Sequence, residues 1–266
     1  MPPLVSIITV NYNDGEGLAR TIQSVLAQDH ADLEYLVIDG GSADDSRRVI
    51  NDNAGRLAYW VSEKDRGIYH AMNKGIARAS GEYLMFLNSG DSLRTPAAIS
   101  EAVARAATQP APDVVYGNVA VINKSSTKPD EVVWSYPARL GLTFFKKSTL
   151  NHQASLLKAT LFAELGSYNE HSGMAADYEL FVKATLANKI FAHVDAVLVN
   201  YDAHGISATE SYAAYAAEMQ RLWQELVPPW ARQLVDENEA LMHTAEARLV
   251  RFASLLNRIL RKAPFS

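Results

Sequence analysis

Three aspartates and an asparagine stand where short apolar runs stop. Asp39 follows Tyr35–Ile38 and opens Asp39-Gly40-Gly41-Ser42. Asp65 lies in the turn Glu63-Lys64-Asp65-Arg66-Gly67. Asp91 closes Asn88-Ser89-Gly90-Asp91, directly after the apolar run Tyr83–Leu87. Asn11, with Tyr12, ends the run Leu4–Val10. Carboxylates past the carboxyl ends of buried strands are where open α/β sheets hold ligands. Oxygen ligands suit a hard divalent cation and, through it, a diphosphate. Asp91 is the expected residue for that task. Asp177 lies far along the chain, in Ala175-Ala176-Asp177-Tyr178-Glu179-Leu180. By itself it reads as an acid stabilised at a helix N-terminus. Arg66 and Lys74 offer charge for a phosphate, or simply face solvent.

These residues need a frame to hold them. Leu4–Val10, Tyr35–Ile38, Tyr59–Val61 and Tyr83–Leu87 read as buried strands. Between them, Gly17–Gln28, a segment from Asp44 to about Ile50, and the run after Gly67 read as helices. In the last, Ile68, Ala71, Met72, Gly75, Ile76 and Ala79 share one face. A further helix runs from Pro96 to about Ala107. Strand and helix in alternation predict an α/β fold with a mostly parallel, doubly wound sheet. The second half is less regular. Val114–Ile122 and Val132–Ser135 read as an antiparallel pair around a polar tip. Gln153–Leu157 and Ala192–Tyr201 read as strands, Ala159–Leu165 and Asp177–Ala187 as helices. From about Thr209 the pattern is helical, interrupted at Pro228-Pro229.

Composition narrows the classes. The chain has 266 residues, 48% hydrophobic and 21% charged, enough for a large soluble core. A net charge of −5 gives no basic field for nucleic acid. With no cysteine, disulfides, thiolate metal sites and a cysteine nucleophile are excluded. The start, Met1-Pro2-Pro3-Leu4, carries no basic region, so no signal peptide is expected. No apolar run reaches the ~18 residues of a membrane span, and a cytoplasmic location follows as the expectation. The last stretch, about His243–Arg261, sets Arg248, Arg251, Arg258 and Arg261 beside Leu249, Phe252, Leu256, Ile259 and Leu260. Such a helix packs on its own domain, packs on a second copy in a homo-oligomer, or lies on the inner face of an anionic membrane.

Taken in order, VSIITVNYN, EYLVIDGGSADDS and SEKDRGIYHAMNKGIARASGEYLMFLNSGD resemble the nucleotide-sugar half of inverting family 2 glycosyltransferases with the GT-A fold. HQASLL (152–157), AADYEL (175–180) and HGIS (204–207) resemble their acceptor half. The likeness is to the bacterial subgroup that builds cell-surface polysaccharides and glycolipids, and it covers roughly the first 210 residues. It implies a GT-A domain over 1–208, with a nucleotide-sugar half to residue 110 and an acceptor half from 111, followed by a helical region over 209–266. It implies a hexosyl transfer from a nucleoside-diphosphate sugar to a hydroxyl of a saccharide or lipid-linked acceptor, assisted by Mn2+ or Mg2+.

By position, Asp39 resembles the acid that binds the base, with Asn11 and Tyr12 beside it, and Asp65 the acid that contacts the nucleoside. Lys74, Asn88 and Ser89 fall with the donor residues. Asp91 is the last position of the metal motif and Asp177 that of the catalytic base. His152 and Gln153 fall toward acceptor or diphosphate, and His204 toward the diphosphate or metal. Two features depart from the pattern: the metal motif keeps a single carboxylate, and His70 stands where relatives often have an acid. The lone carboxylate keeps open a non-catalytic glycan- or protein-binding role. A sugar nucleotidyltransferase is disfavoured, because Asn11–Gly17 carries no Lys or Arg. A dinucleotide oxidoreductase fails on the missing GxGxxG.

Overall fold

A computed structural model describes residues 2–123, 130–203, 212–242 and 244. His204, the polar tip over 124–129 and nearly all of the basic C-terminal helix lie outside the described residues. The chain divides into two compact units, 1–223 and 224–266.

The first unit is built on a nine-stranded sheet. Its strands are β1 (Val5–Asn11), β2 (Leu33–Asp39), β3 (Tyr59–Ser62), β4 (Tyr83–Phe86), β5 (Ser92–Leu93), β6 (Val114–Asn123), β7 (Asp130–Trp134), β8 (Ser155–Lys158) and β9 (Phe191–Asp202). Their order is 3-2-1-4-8-6-9-5, with β7 on β6. The β3-β2-β1-β4 half is parallel throughout. Beyond it, β8 runs antiparallel to both β4 and β6, while β6 and β9 are parallel. The helices are α1 (Gly15–Leu26), α2 (Ser46–Asn53), α3 (Ile68–Ile76), α4 (Ala98–Ala106), α5 (Leu142–Phe145), α6 (Thr160–Leu165), α7 (Ala176–Leu186) and α8 (Tyr212–Leu226). α8 runs across the boundary between the units. In the second unit, residues 229–242 are helical and leave Trp230, Leu234, Leu241 and Met242 exposed.

β1 is buried at every position, which is why it reads as an unbroken apolar run. Val5 and Ile7 share a core with Leu18, Ile22, Val25 and Ile50 from α1 and α2, and with Ile99, Ala102 and Val103 from α4. Ile8 faces the other way, under α3. There Gly75 comes so close that a Cβ would sit 2.4 Å from the Ile8 Cγ2. Phe86 packs edge-on against Phe162 and Tyr168 on that side. Fully burying a Leu or Ile is worth about 1.5–3 kcal/mol, and a one-residue slip would turn each β1 side chain to the opposite layer. Two apolar faces therefore fix the register. That register pairs Asn11 with Asp39 and Asp39 with Ser62, so three polar strand ends arrive side by side.

The segment expected as a strand over Gln153–Leu157 begins differently. Residues His152–Ala154 form a 3-10 turn, and β8 starts only at Ser155. The Asn151 side chain caps the turn by accepting from the Gln153 N–H at 3.1 Å, which favours a turn over extended backbone.

Candidate functional site

Asp39 is the most enclosed of the expected site residues, with no exposed surface. Its Oδ1 accepts from Asn11 Nδ2 at 2.7 Å and Ser42 Oγ at 2.5 Å. Its Oδ2 accepts from the Ser42 N–H at 3.0 Å and Ser62 Oγ at 2.6 Å. Burial alone pushes this carboxyl up, but the hydrogen bonds from Ser42, Ser62 and Asn11 outweigh it and hold the group below its ordinary value. Asp39 therefore ties three strand ends together as an anion. Tyr12 stands over this floor. Its ring lies 3.2 Å from where a Cβ on Gly40 would be, and it is 56% exposed.

Asp65 faces the same floor. Its Oδ1 holds Lys74 Nζ at 2.6 Å and His70 Nδ1 at 2.8 Å. Lys74 also reaches Glu63 at 2.7 Å. Burial opposes the Lys74 charge, but the two carboxylates outweigh burial and raise its pKa. Lys74 is thus engaged by acids and acts on the site through Asp65. Arg66 is paired with Glu170 at 2.7 Å. His70, at the position where the sequence departs from its relatives, is a partner of Asp65. Three side-chain oxygens on this edge are buried without a partner: Asn11 Oδ1, Asp65 Oδ2 and Asn88 Oδ1. Buried acceptors are normally satisfied, so these three are places where a ligand's N–H or O–H groups can bond.

The loop Asn88–Asp91 leaves β4 and is pinned by α1. Thr21 Oγ1 donates to the Asp91 carbonyl at 2.6 Å and accepts from the Gly90 N–H at 3.1 Å. Gly90 has φ +94°, a conformation L side chains avoid. Asp91 is 3% exposed, and its Oδ1 accepts from the Asp202 N–H at 2.8 Å. The short pairing of β5 with β9 makes this contact. It brings in Asp202, an acid absent from the sequence expectation, although it too ends a strand. A Cβ on Gly90 would lie 3.5 Å from the Asp202 Oδ2 and 3.4 Å from an Asp14 oxygen. The sequence motif shows one carboxylate here; the fold sets Asp202 beside it, with Asp202 Oδ2 3.5 Å from Arg20 Nη2. Among the described residues no three acids or histidines lie close enough together to hold a metal ion; Asp91 and Asp202 are the oxygen donors that Mg2+ or Mn2+ could use with phosphate and water. His204 lies outside the described residues.

Asp177, in the first turn of α7, is 8% exposed. Its Oδ2 meets His152 Nδ1 at 2.8 Å. Its Oδ1 accepts from the Tyr178 N–H at 2.8 Å and from Tyr69 Oη at 3.3 Å. On its far side, His152 Nε2 lies 3.5 Å from Asn88 Nδ2. His152 therefore stands between Asp177 and the Asn88–Asp91 loop. Around Asp177 the hydroxyls of Tyr69, Tyr168, Tyr215 and Tyr136 are all raised, that of Tyr136 to about 12, first by burial and also by the Asp177 charge. These phenols stay protonated and do not compete as bases. Gln153 is buried beside His152, and Ser89 is held by its N–H to the Val10 carbonyl at 3.0 Å. Of the aromatic residues 134–145, Tyr136, Phe144 and Phe145 pack on one another, whereas Trp134 is half exposed on β7.

The profile of Glycosyl transferase family 2 matches residues 6–164. An uncharacterised glycosyltransferase of Mycobacterium tuberculosis is 35% identical over 223 residues, 83% of each chain. A PGL/p-HBAD biosynthesis glycosyltransferase of Mycobacterium bovis is 29% identical over 68% of this chain and 69% of its own. Two solved structures share the fold at 18% identity. Staphylococcus aureus TarS 1-349 in complex with UDP-GlcNAc aligns with TM-score 0.65 over 82% of this chain; the match spans 64% of that one. The mannosyltransferase PcManGT from Pyrobaculum calidifontis, in complex with GDP-Man and Mn2+, aligns with TM-score 0.61 over 96% of this chain and 81% of that one. The parallel strand ends, the enclosed Asp39 and the Asp91 loop thus belong to a GT-A scaffold, and the chain is a member of glycosyl transferase family 2.

Proposed function

We propose that the protein is an inverting glycosyltransferase that moves a hexosyl unit from a nucleoside-diphosphate sugar to a hydroxyl of a saccharide or glycolipid. The observation that carries this reading is the contact chain Asp177–His152–Asn88, which joins an acid–base corner to the loop that ends in Asp91. Solved structures of the same fold with UDP-GlcNAc and with GDP-Man support a nucleotide-sugar donor. The relative named for PGL/p-HBAD biosynthesis supports a glycolipid or surface-glycan acceptor.

In this reading the base lies on the Tyr12 ring. Its N–H groups, or the ribose hydroxyls, meet the orphan oxygens of Asn11 and Asp65. Asp39 fixes the loop that presents them. Lys74 and His70 hold Asp65 in place. The diphosphate lies along Asn88, Ser89 and Asp91. Asp91, with Asp202 beside it and with His204, would hold Mn2+ or Mg2+, whose positive charge would offset that building on the departing diphosphate. Phosphate oxygens and water would supply the remaining ligands. Across the site, removal of the acceptor's proton depends on Asp177. One such group suffices for a single displacement, which inverts the anomeric carbon. The domain over 1–208 carries both halves of this site, and the basic, apolar-striped sequence over about 243–261 favours a glycan borne on the inner face of a membrane.

A thermal-shift panel of UDP, GDP and dTDP, each with and without Mn2+, tests the donor side. One diphosphate should raise the melting temperature, more so with Mn2+, because a ligand of the native state stabilises it by linkage. No shift with any of the three would remove the reading.

A further inference from the structure

Asp177 stands in the first turn of α7, so its place depends on the segment that leads into that helix. Residues 166–175 join α6 to α7 and form no helix or strand of their own. Two residues one turn apart on α3 hold this segment. Asn73 pairs with both backbone groups of Tyr168: its Nδ2 donates to the carbonyl at 2.8 Å, and its Oδ1 accepts from the N–H at 3.0 Å. Tyr69 is buried and donates its hydroxyl to the Met174 carbonyl at 2.6 Å; the same oxygen lies 3.3 Å from Asp177 Oδ1. Burial, helped by the Asp177 charge, keeps this phenol protonated, so it remains a donor. Its ring also leans on that of Tyr168, with centroids 5.4 Å apart. From the other side, a Glu218 oxygen on α8 accepts from the Met174 N–H at 3.0 Å. Both backbone groups of Met174 are thus held, just ahead of α7. The next position along α3 from each of these residues, His70 and Lys74, holds Asp65. One helix therefore grips the donor acid with one pair of side chains and the approach to Asp177 with the other.

We propose that Tyr69 is a positioning residue for transfer: through Met174 it sets Asp177 at a fixed distance from the donor that α3 frames at Asp65, and Glu218 closes the clamp from α8. This rests on the transferase reading, in which Asp177 takes the acceptor's proton. Reacting groups must meet within about 3–3.5 Å, and a misplacement of about 1 Å costs on the order of 100-fold in rate. Phenylalanine at position 69 keeps the ring against Tyr168 but leaves the Met174 carbonyl without its donor. The first turn of α7 is then free to shift. The donor side keeps its contacts, because Lys74 and His70 still hold Asp65.

Tyr69→Phe, Asp177→Asn, the double variant Tyr69→Phe/Asp177→Asn, Glu218→Ala and Glu218→Gln test this in the full chain. Transfer is measured beside stabilisation by the nucleoside diphosphate that binds wild type. Tyr69→Phe should lower kcat on the order of 10–100-fold, with donor KM and nucleotide stabilisation as in wild type. In the Asp177→Asn background the same change should cost nothing further, because residues that act as a unit are not additive. Glu218→Ala should lower kcat in the same way. Glu218→Gln, whose amide oxygen still accepts the Met174 N–H, should restore most of it. A merely structural role would slow both Asp177 backgrounds alike and weaken nucleotide binding, and either result overturns the proposal. So does a Tyr69→Phe protein that transfers within about threefold of wild type, far from the cost of a misplaced group. If Tyr69→Phe does not fold, the Glu218 pair decides, and equal rates for alanine and glutamine overturn the proposal. A wild-type protein that no nucleoside diphosphate stabilises overturns the transferase reading itself, and an Asp177→Asn protein as fast as wild type overturns the proton-acceptor role beneath it.

Discussion

Asp39→Ala removes the acceptor of four hydrogen bonds at once. The Ser42 and Ser62 hydroxyls can turn to other partners. The Ser42 N–H cannot, and Asn11 Nδ2 keeps only a 3.3 Å contact to Ser42 Oγ. A buried donor left without its acceptor costs about 1–3 kcal/mol, so the loss comes to roughly 2–5 kcal/mol. For a unit of this size the melting temperature should fall by on the order of 5–15 °C. Asp39→Asn should be milder, at about 1–2 kcal/mol, because Asn11 can turn its orphan oxygen to meet the new amide N–H. The two variants also differ from wild type in pH dependence. Folding holds the Asp39 carboxyl below its ordinary value of 3.8, so the folded chain binds this proton less readily than the unfolded one. The stabilisation is complete above about pH 4 and is lost as pH falls through the folded value. Asp39→Asn should flatten that part of the acid limb. Urea unfolding at pH 7 and pH 3.5 measures both effects. If Asp39→Ala unfolds within about 0.5 kcal/mol of wild type at pH 7, well below the cost of even one stranded donor, the carboxylate does not hold the strand ends together, and the argument built on its four hydrogen bonds is wrong.

Other perturbations check other parts of the site. Gly75→Ala would drive a methyl to 2.4 Å from Ile8 and should cost about 1–3 kcal/mol by overpacking, read as a lowered urea midpoint with unchanged nucleotide affinity. Gly90→Ala forces a side chain to φ +94° at about 1–2 kcal/mol; donor KM should rise, because the strained loop carries Asp91. Lys74→Met leaves Asp65 buried without its cation and should weaken nucleotide binding at least tenfold. Arg66→Ala breaks an exposed pair and should change stability by less than about 1 kcal/mol; equal effects of the two on binding would contradict the role given to Asp65. Chelation by EDTA should abolish transfer and added Mn2+ restore it, with Asp91→Asn needing more Mn2+ for half-maximal rate.

The parallel half was legible because local pattern and long-range placement coincide there. β1, β2 and β4 are apolar runs bounded by polar residues, and parallel strands in register place the residues that end them side by side. Asn11, Asp39 and Asp91 could therefore be picked by position alone. The rest depends on contacts no periodicity encodes. β5 is two residues long, yet its pairing with β9 sets Asp202 against Asp91 across 111 positions. His152 meets Asp177 only because a capped 3-10 turn replaces the start of a strand. Lys74 looks like a phosphate ligand in the sequence, since nothing local reveals that Glu63 and Asp65 fold back onto it. The family resemblance supplied Asp177, which residue type and spacing left as a helix N-terminal acid.

The central claim is that Asp177 serves transfer and not donor binding. Wild type and Asp177→Asn, given the nucleotide sugar whose diphosphate stabilises the protein and a saccharide or lipid-linked acceptor, should bind donor with equal affinity. Transfer by the variant should fall at least ~100-fold, the lower bound for losing a positioned proton acceptor. An Asp177→Asn protein that transfers sugar at the wild-type rate would contradict the account.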